Sequence, residues 1–291
     1  MKNILSLQSV RLSTKKINYK KRTIYTIRHM RLEKLLYQSF SYIRHILRAK
    51  NTLGYGIHSP FLYYLVHFVM YDDNAYYCYA TIEKERRRLL STDKIIETED
   101  YGTGESGKKK ISSIAEKSLK SRQEAQMIFR IANAIKPQYV IELGTSLGIT
   151  TAYLAKAAPK GQVVTIEGSQ NIAKEAEKTF RNLHIDNITQ TMGNIDEKLS
   201  ETLQGEKTID LAFIDANHSK EPTLRYFRQI ASHCTENSIV IIDDIHSSLE
   251  MSEAWTDIQK EDRVTACLDC FSMGIVFFRP NIMKETYYLH I

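Results

Sequence analysis

From Tyr139 to Lys260 the chain alternates short apolar runs with helical stretches, and this alternation restricts the possible fold more than any other feature. The runs are Tyr139 to Leu143, Gln162 to Glu167, Ile209 to Asp215 and Ser238 to Asp243, with the more polar Ile188 to Met192 as a further strand in the same rhythm. A short apolar run without a polar face reads as a strand buried on both sides, the signature of a parallel sheet. The intervening stretches predict helices from about Gly148, then over about 171–182, 196–203, 221–232 and 249–260. Strand–helix repetition of this kind gives a parallel sheet with helices on both faces. The end of the chain breaks the rhythm. Val264 to Phe271 and Met273 to Phe278 are apolar runs joined by a tight turn, hence an antiparallel hairpin. The predicted fold is therefore α/β: a doubly wound sheet of seven strands, five parallel closed by a C-terminal antiparallel hairpin, with a helical N-terminal extension.

Ligands of such sheets bind beyond the carboxyl ends of the strands. The first strand ends Glu142-Leu143-Gly144-Thr145-Ser146-Leu147-Gly148-Ile149-Thr150. Glycines at this turn let the backbone approach a ligand, and the next helix points free N–H groups at it. A dinucleotide fingerprint needs G-x-G-x-x-G. Here Ser146 stands between Gly144 and Gly148, which disfavours an NAD(P)-linked oxidoreductase. The motif alone is also explained by an ordinary strand–glycine–helix turn. Two further features add weight: the second strand ends in an acid, Glu167, 23 residues after Gly144, and the sheet closes with a hairpin where a dinucleotide fold would add another crossover.

An acid followed by G-x-S-x-G resembles the first motif of class I S-adenosylmethionine-dependent methyltransferases. The form ELGTSLGITT is most similar to the small-molecule O-methyltransferases, the group containing catechol O-methyltransferase. The resemblance covers about Ser121 to Pro280 and implies a Rossmann-like fold with S-adenosyl-L-methionine as cofactor. It also implies that Glu142, Gly144, Thr145, Ser146, Gly148 and Thr150 cradle the methionine part. By the same resemblance Glu167 and Gly168 meet the ribose, Asn194 the adenine edge, and Asp215 and Ala216 the remaining wall. A Gly-Asn turn with Asp196 capping the next helix would explain Gly193 to Asp196 equally well.

The fourth and fifth strands end Asp215-Ala216-Asn217-His218 and Asp243-Asp244-Ile245-His246. Three carboxylates at neighbouring strand ends, Asp215, Asp243 and Asp244, repel one another unless a cation or shared proton compensates. Such oxygen donors suit Mg²⁺ or another hard divalent cation. Matching positions hold a metal in the metal-dependent O-methyltransferases that the chain resembles. Catechol-type enzymes carry Asp-Asn at the fifth strand, so Asp243-Asp244 is nearer the sugar-modifying members. The alternative is that Asp243 or Asp244 caps a helix. His218 takes the place of the catechol-type lysine base and, as an imidazole, could accept a proton beside Asp215. A pocket-lining or hydrogen-bonded loop residue is the equal alternative for His218, and His246 is the second candidate.

Ahead of this domain, assigned to residues 121–291, the sequence predicts a helical region over 30–120 and a basic tail over 1–29. The first 50 residues carry thirteen Lys/Arg against one acid, Glu33, so the net charge of +6 is a basic appendage on a mildly acidic body. The tail has eight basic residues and no acid and reads as disordered, or as a segment upstream of the true start at Met30. Leu32, Leu35, Leu36, Phe40, Ile43, Ile46 and Leu47 form an apolar stripe expected to dock on the protein, a membrane surface being the alternative. Ser59-Pro60 predicts a helix start, and a further helix is expected over about 76–90. The glycine-rich stretch 100–107 fails as a phosphate loop because Lys109 stands where a hydroxyl is required. It is expected to be an active-site lid or a linker. The four cysteines are too scattered for a disulfide framework, and Cys267 and Cys270 should sit on opposite faces of their run. No apolar segment approaches the roughly 20 residues of a membrane span, so a cytoplasmic setting is expected. A nucleic-acid methyltransferase using the basic N-terminus is one alternative, but Asp215-Ala216-Asn217-His218 lacks the Asn/Asp-Pro-Pro-aromatic motif of amino-methylating enzymes. A catalytically silent cofactor-binding protein is the other. The expected partner is a small-molecule acceptor.

Overall fold

A computed structural model describes residues 35–98, 107–205 and 207–291. The basic tail over 1–29 and all but Gly107 of the glycine-rich loop lie outside the described residues. Residues 1–46 and 47–291 form separate compact units. In the first, residues 35–46 belong to helix α1, which runs over 35–48. Of the apolar stripe, Leu35, Leu36, Phe40 and Ile43 lie on this stretch of the helix. Among the described residues no helix is long and apolar enough to cross a membrane.

The second unit opens with helix α2, Pro60–Tyr64, extended by a wider turn over Leu65–Met70. Its start is as expected, with Pro60 in the first turn and Ser59 Oγ accepting from the Leu62 N–H at 3.4 Å. Helix α3 is Tyr79–Leu90. Strands β1, Ile95–Thr98, and β2, Gly107–Lys110, pair antiparallel as a ribbon of their own. Gly107-Lys108-Lys109 thus enters a strand, not the helix that a phosphate loop would need. Helix α4, Ile111–Ser118, leads to α5, Arg122–Ile135, which starts with a capping box formed by Ser121 and Glu124.

The main sheet contains β3 Tyr139–Leu143, β4 Gln162–Glu167, β5 Ile188–Met192, β6 Ile209–Ile214, β7 Cys234–Asp243, β8 Ala266–Asp269, β9 Met273–Phe277 and β10 Glu285–Tyr288. Their spatial order is β10-β8-β9-β7-β6-β3-β4-β5. The five strands β3 to β7 are parallel, and β9 pairs antiparallel with both β7 and β8. The predicted arrangement is present, with an eighth strand, β10, added parallel to β8 at the edge. Between the parallel strands run α6 Ile149–Ala157, α7 Gln170–Asn182, α8 Ile195–Thr202 and α9 Lys220–Ala231; α10 Leu249–Lys260 precedes the hairpin.

Side chains alternate between two buried layers along each central strand, as the pleat requires. Val140, Leu211, Phe213, Ile239 and Ile241 belong to one layer, and Ile141, Leu143, Ala212, Ile214, Val240 and Ile242 to the other. Helices α2, α3 and α5 contribute Leu62, Leu65, Ile82, Leu89, Ile128 and Phe129 to the first layer. Residues 47–120 therefore share a core with the sheet. Cys267 and Cys270 fall into different layers, and both thiols are free. Strand direction reverses its winding between β6 and β3, which places the ligand-binding crevice of an open α/β sheet beyond their carboxyl ends.

Candidate active site

Backbone conformations that L-residues rarely adopt gather at those strand ends. Ser146 (φ +48°) follows β3, Asn217 (+63°) and His218 (+29°) follow β6, and Asp244 (+55°) follows β7. Strain of this kind persists only where the surroundings enforce it, and it clusters at functional sites. Gly144 (φ +94°) is required by close approach: a Cβ there would lie 2.0 Å from the Asp215 carbonyl oxygen. Gly148 (φ +82°) forms the N-terminal boundary of α6 with Phe180 packed against its Cα.

Glu142 is fully buried beneath this turn. Its Oε2 accepts hydrogen bonds from Thr151 Oγ1 and, at 2.7 Å, from Thr165 Oγ1. Thr145 Oγ1 lies 2.6 Å from Thr165 Oγ1 and extends the chain of hydroxyls. Thr145 and Thr150 are both buried, so Thr145 serves the support under the turn. Glu142 Oε1 is buried without a hydrogen-bond partner. Burial pushes the Glu142 carboxyl up to about 7, against the two threonine donors, with nearby Glu167 adding to the rise.

This shift has a measurable consequence. The folded pKa lies above that of the unfolded chain, so native Glu142 holds its proton more tightly. The resulting stability is fully present below about pH 4.5 and is lost as pH rises to about 7. Glu142→Gln removes that titration. Urea unfolding at pH 5 and pH 8 should show the variant gaining about 2–3 kcal/mol on wild type across the interval. Parallel pH curves for the two proteins would contradict the assignment.

Glu167, half-buried at the end of β4, turns toward the Gly144–Gly148 loop. Its Oε2 accepts from the Ser146 N–H at 2.8 Å and its Oε1 from the Ser169 N–H at 2.9 Å. Gly168 follows it in the same bend. Ser146 Oγ shares a 2.6 Å hydrogen bond with Ser118 Oγ at the end of α4. Asn194 caps α8, its side chain accepting from the Asp196 N–H at 2.9 Å. The capping residue is thus Asn194 and not Asp196. Asp196 instead accepts from Arg225 at 2.5 Å and from the Tyr226 hydroxyl at 2.6 Å, and Asn217 Nδ2 donates to that hydroxyl at 2.6 Å.

At the ends of β6 and β7 the structure brings together Asp215, Asp243, Asp244 and His218. His218 Nε2 lies 3.4 Å from Asp215 Oδ1, and Nδ1 lies 3.7 Å from Asp244 Oδ2. Asp215 is pushed up to about 6, chiefly by burial, with Lys120 acting in the opposite direction. Burial and the neighbouring Asp215 raise Asp243 well above the carboxylate range. Ala216, beside Asp215, is buried. His246 has both ring nitrogens occupied, Nε2 2.9 Å from Asp269 Oδ2 and Nδ1 3.0 Å from Ser252 Oγ, a structural arrangement.

Two site residues have no signal in the sequence. Lys120 Nζ reaches both oxygens of Asp243 at 2.6 Å, and Ser118 touches the Ser146 turn. Ser118 ends α4 and Lys120 lies in the short link to α5. A lone lysine beside a capping box carries no mark of a partner 123 residues away.

Residues 141–245 match a family model described as a methyltransferase domain. The catechol O-methyltransferase of Mycobacterium tuberculosis is 30% identical over 127 residues, 43% of this chain and 56% of that protein. The catechol O-methyltransferase of Niastella koreensis is 26% identical over 128 residues, 43% of this chain and 57% of that one. The chain thus spans about half the length of these curated relatives. Among solved structures, the O-methyltransferase of Bacillus cereus in complex with SAH aligns with a TM-score of 0.53 at 16% identity, over 73% of this chain and 94% of that chain. An SAH-bound methyltransferase of Podospora anserina aligns at 0.50 and 17% identity, over 57% and 81%. In sequence and in fold the chain resembles the class I small-molecule O-methyltransferases, and the match to the methyltransferase-domain model falls within residues 141–245.

Proposed function

We propose that this protein is an S-adenosylmethionine-dependent O-methyltransferase acting on a small hydroxylated molecule, in the reducing, cytoplasmic setting expected from its scattered cysteines. The observation that carries the reading is the pair of acids flanking the Gly144–Gly148 turn: Glu142, with a buried oxygen lacking a partner, and Glu167, against the Ser146 amide. Both suit a cofactor that is cationic at its amino-acid end and carries a ribose diol, and neither suits a pyrophosphate. Glu142 and the turn from Gly144 to Thr150 would hold the methionine part. Glu167 and Gly168 would hold the ribose, and Asn194, Asp215 and Ala216 would line the remaining wall.

When bound, the cofactor supplies an electrophilic methyl group on a sulfonium. The protein's remaining tasks are alignment and proton removal, and neither calls for a covalent enzyme intermediate. His218, beside Asp215, would accept the proton that the acceptor oxygen sheds. The acids at the ends of β6 and β7 do not fit the expected Mg²⁺ or other divalent cation, because Lys120 stands among them.

Calorimetry with S-adenosylhomocysteine tests the reading. Wild type should bind it saturably at one site, and Glu167→Ala should weaken binding about 10- to 100-fold, the loss of charge-assisted hydrogen bonds. Equal affinity of variant and wild type would remove Glu167 from the cofactor site.

A further inference from the structure

The acidic cluster at the ends of β6 and β7 already contains a cation that belongs to the chain. Lys120 Nζ lies 2.6 Å from each Asp243 carboxylate oxygen and 3.8 Å from Asp244 Oδ1. The pair is enclosed, with 13% of the lysine side chain and 1% of the aspartate side chain exposed. Buried charges persist only when paired, and removing one partner leaves the other uncompensated.

The lysine is also fixed from behind. Arg86 Nη1 donates to the Lys120 carbonyl at 2.6 Å, and Arg86 Nε is 3.0 Å from both Glu83 oxygens. The Tyr153 hydroxyl donates to Glu83 at 2.9 Å. Immediately downstream, the Ser121–Glu124 capping box sets the chain's course. Helices α3, α5 and α6 together hold Lys120 at the strand ends.

With Lys120 among them, the carboxylates are not gathered as a single Mg²⁺ ion would gather them. Asp215, Asp243 and Asp244 do not bring one oxygen each to within 4.8 Å of the other two. Two oxygens on one Mg²⁺, each at about 2.1 Å, lie at most about 4.2 Å apart.

We infer that Lys120 is the resident cation of this site, taking by its ammonium group the place that a divalent ion holds in metal-assisted O-methyltransferases. This rests on the cofactor reading above for the identity of the site. An ammonium has three N–H donors. One donates to Asp243 Oδ1, with Oδ2 equally near, and an oxygen of the acceptor would take another. Lys120 keeps its proton throughout. It compensates Asp243 and Asp244 and binds the acceptor, while proton removal stays with His218.

Titration with Mn²⁺, followed by electron paramagnetic resonance, tests the inference without an acceptor or turnover. Wild type should leave Mn²⁺ free up to about 1 mM, the weak end of protein sites for hard cations, and EDTA should not change its affinity for S-adenosylhomocysteine. Lys120→Met should bind Mn²⁺ at least tenfold more tightly than wild type, because the acids have lost their counter-ion. Lys120→Arg should restore the wild-type result, and adding Asp243→Asn to Lys120→Met should abolish the new site. Stoichiometric Mn²⁺ binding by wild type, or no gain in a folded Lys120→Met protein, would overturn the inference. Should Lys120→Met fail to fold, the wild-type titration alone decides. Loss of S-adenosylhomocysteine binding in wild type would instead refute the cofactor reading, and the Mn²⁺ result would still stand for or against Lys120.

Discussion

Replacing His218 by Ala is expected to lower kcat for methyl transfer by about 10²- to 10⁴-fold, the usual contribution of a positioned base. Catechol serves as the probe acceptor. The imidazole stands between Asp215 and Asp244, and its backbone is held at φ +29° directly after β6. A conformation that costs energy and aims a titratable ring at two acids is difficult to explain by folding alone. The side chain is 42% exposed, so its loss should change global stability by no more than about 0.5 kcal/mol. Affinity for S-adenosylhomocysteine should stay within about twofold, since Glu142 and Glu167 are untouched. A variant retaining more than a third of wild-type kcat would assign the proton to another group, with Asp215 the next to be tested by Asp215→Asn.

The second large effect concerns folding. Gly144→Ala should cost at least about 3 kcal/mol, combining left-handed backbone strain with overpacking. Its Cβ would lie 2.0 Å from the Asp215 carbonyl oxygen, and neither side can retreat. The Gly144 N–H donates to the Ile166 carbonyl at 3.0 Å, and the Asp215 N–H donates to the Leu143 carbonyl at 2.9 Å. Relief would therefore break sheet bonds at the ends of three strands. Gly205 supplies the control. It also has a positive φ, +113°, but no atom would meet its Cβ within 4 Å. Gly205→Ala should cost only the backbone strain, about 1–2 kcal/mol. Urea unfolding of the two variants separates the contributions, and equal losses would show that the approach to Asp215 is not what demands glycine.

The parallel sheet was legible because its signal is local and repeated. Tyr139 to Leu143 and Ile209 to Ile214 are apolar on both faces, and each is followed by a helix with its own apolar face. Ser121 with Glu124 announced the start of α5 in the same local way. The strand ends were legible for a related reason, since topology alone sends Glu142, Glu167, Asp215 and Asp243 to one edge. Strand β10 was not, because Glu285 to Tyr288 is four residues long and acquires its meaning only beside β8. Nor was β2, whose three lysines read as a solvated loop until paired with Ile95 to Thr98. Asn194 illustrates a different difficulty, since a cap and a ligand contact call for the same residue. Lys120 lay beyond reach altogether. Three clustered acids announce a missing positive charge, but the sequence does not say whether an ion or a distant side chain supplies it.

A crystal structure grown with S-adenosylhomocysteine addresses the central claim most directly. The account predicts density beyond the ends of β3 and β4, with the ribose hydroxyls on the Glu167 carboxylate and the amino-acid end over the Gly144–Gly148 turn, near Glu142. Density elsewhere on the protein, or a ribose that leaves Glu167 untouched, would contradict it.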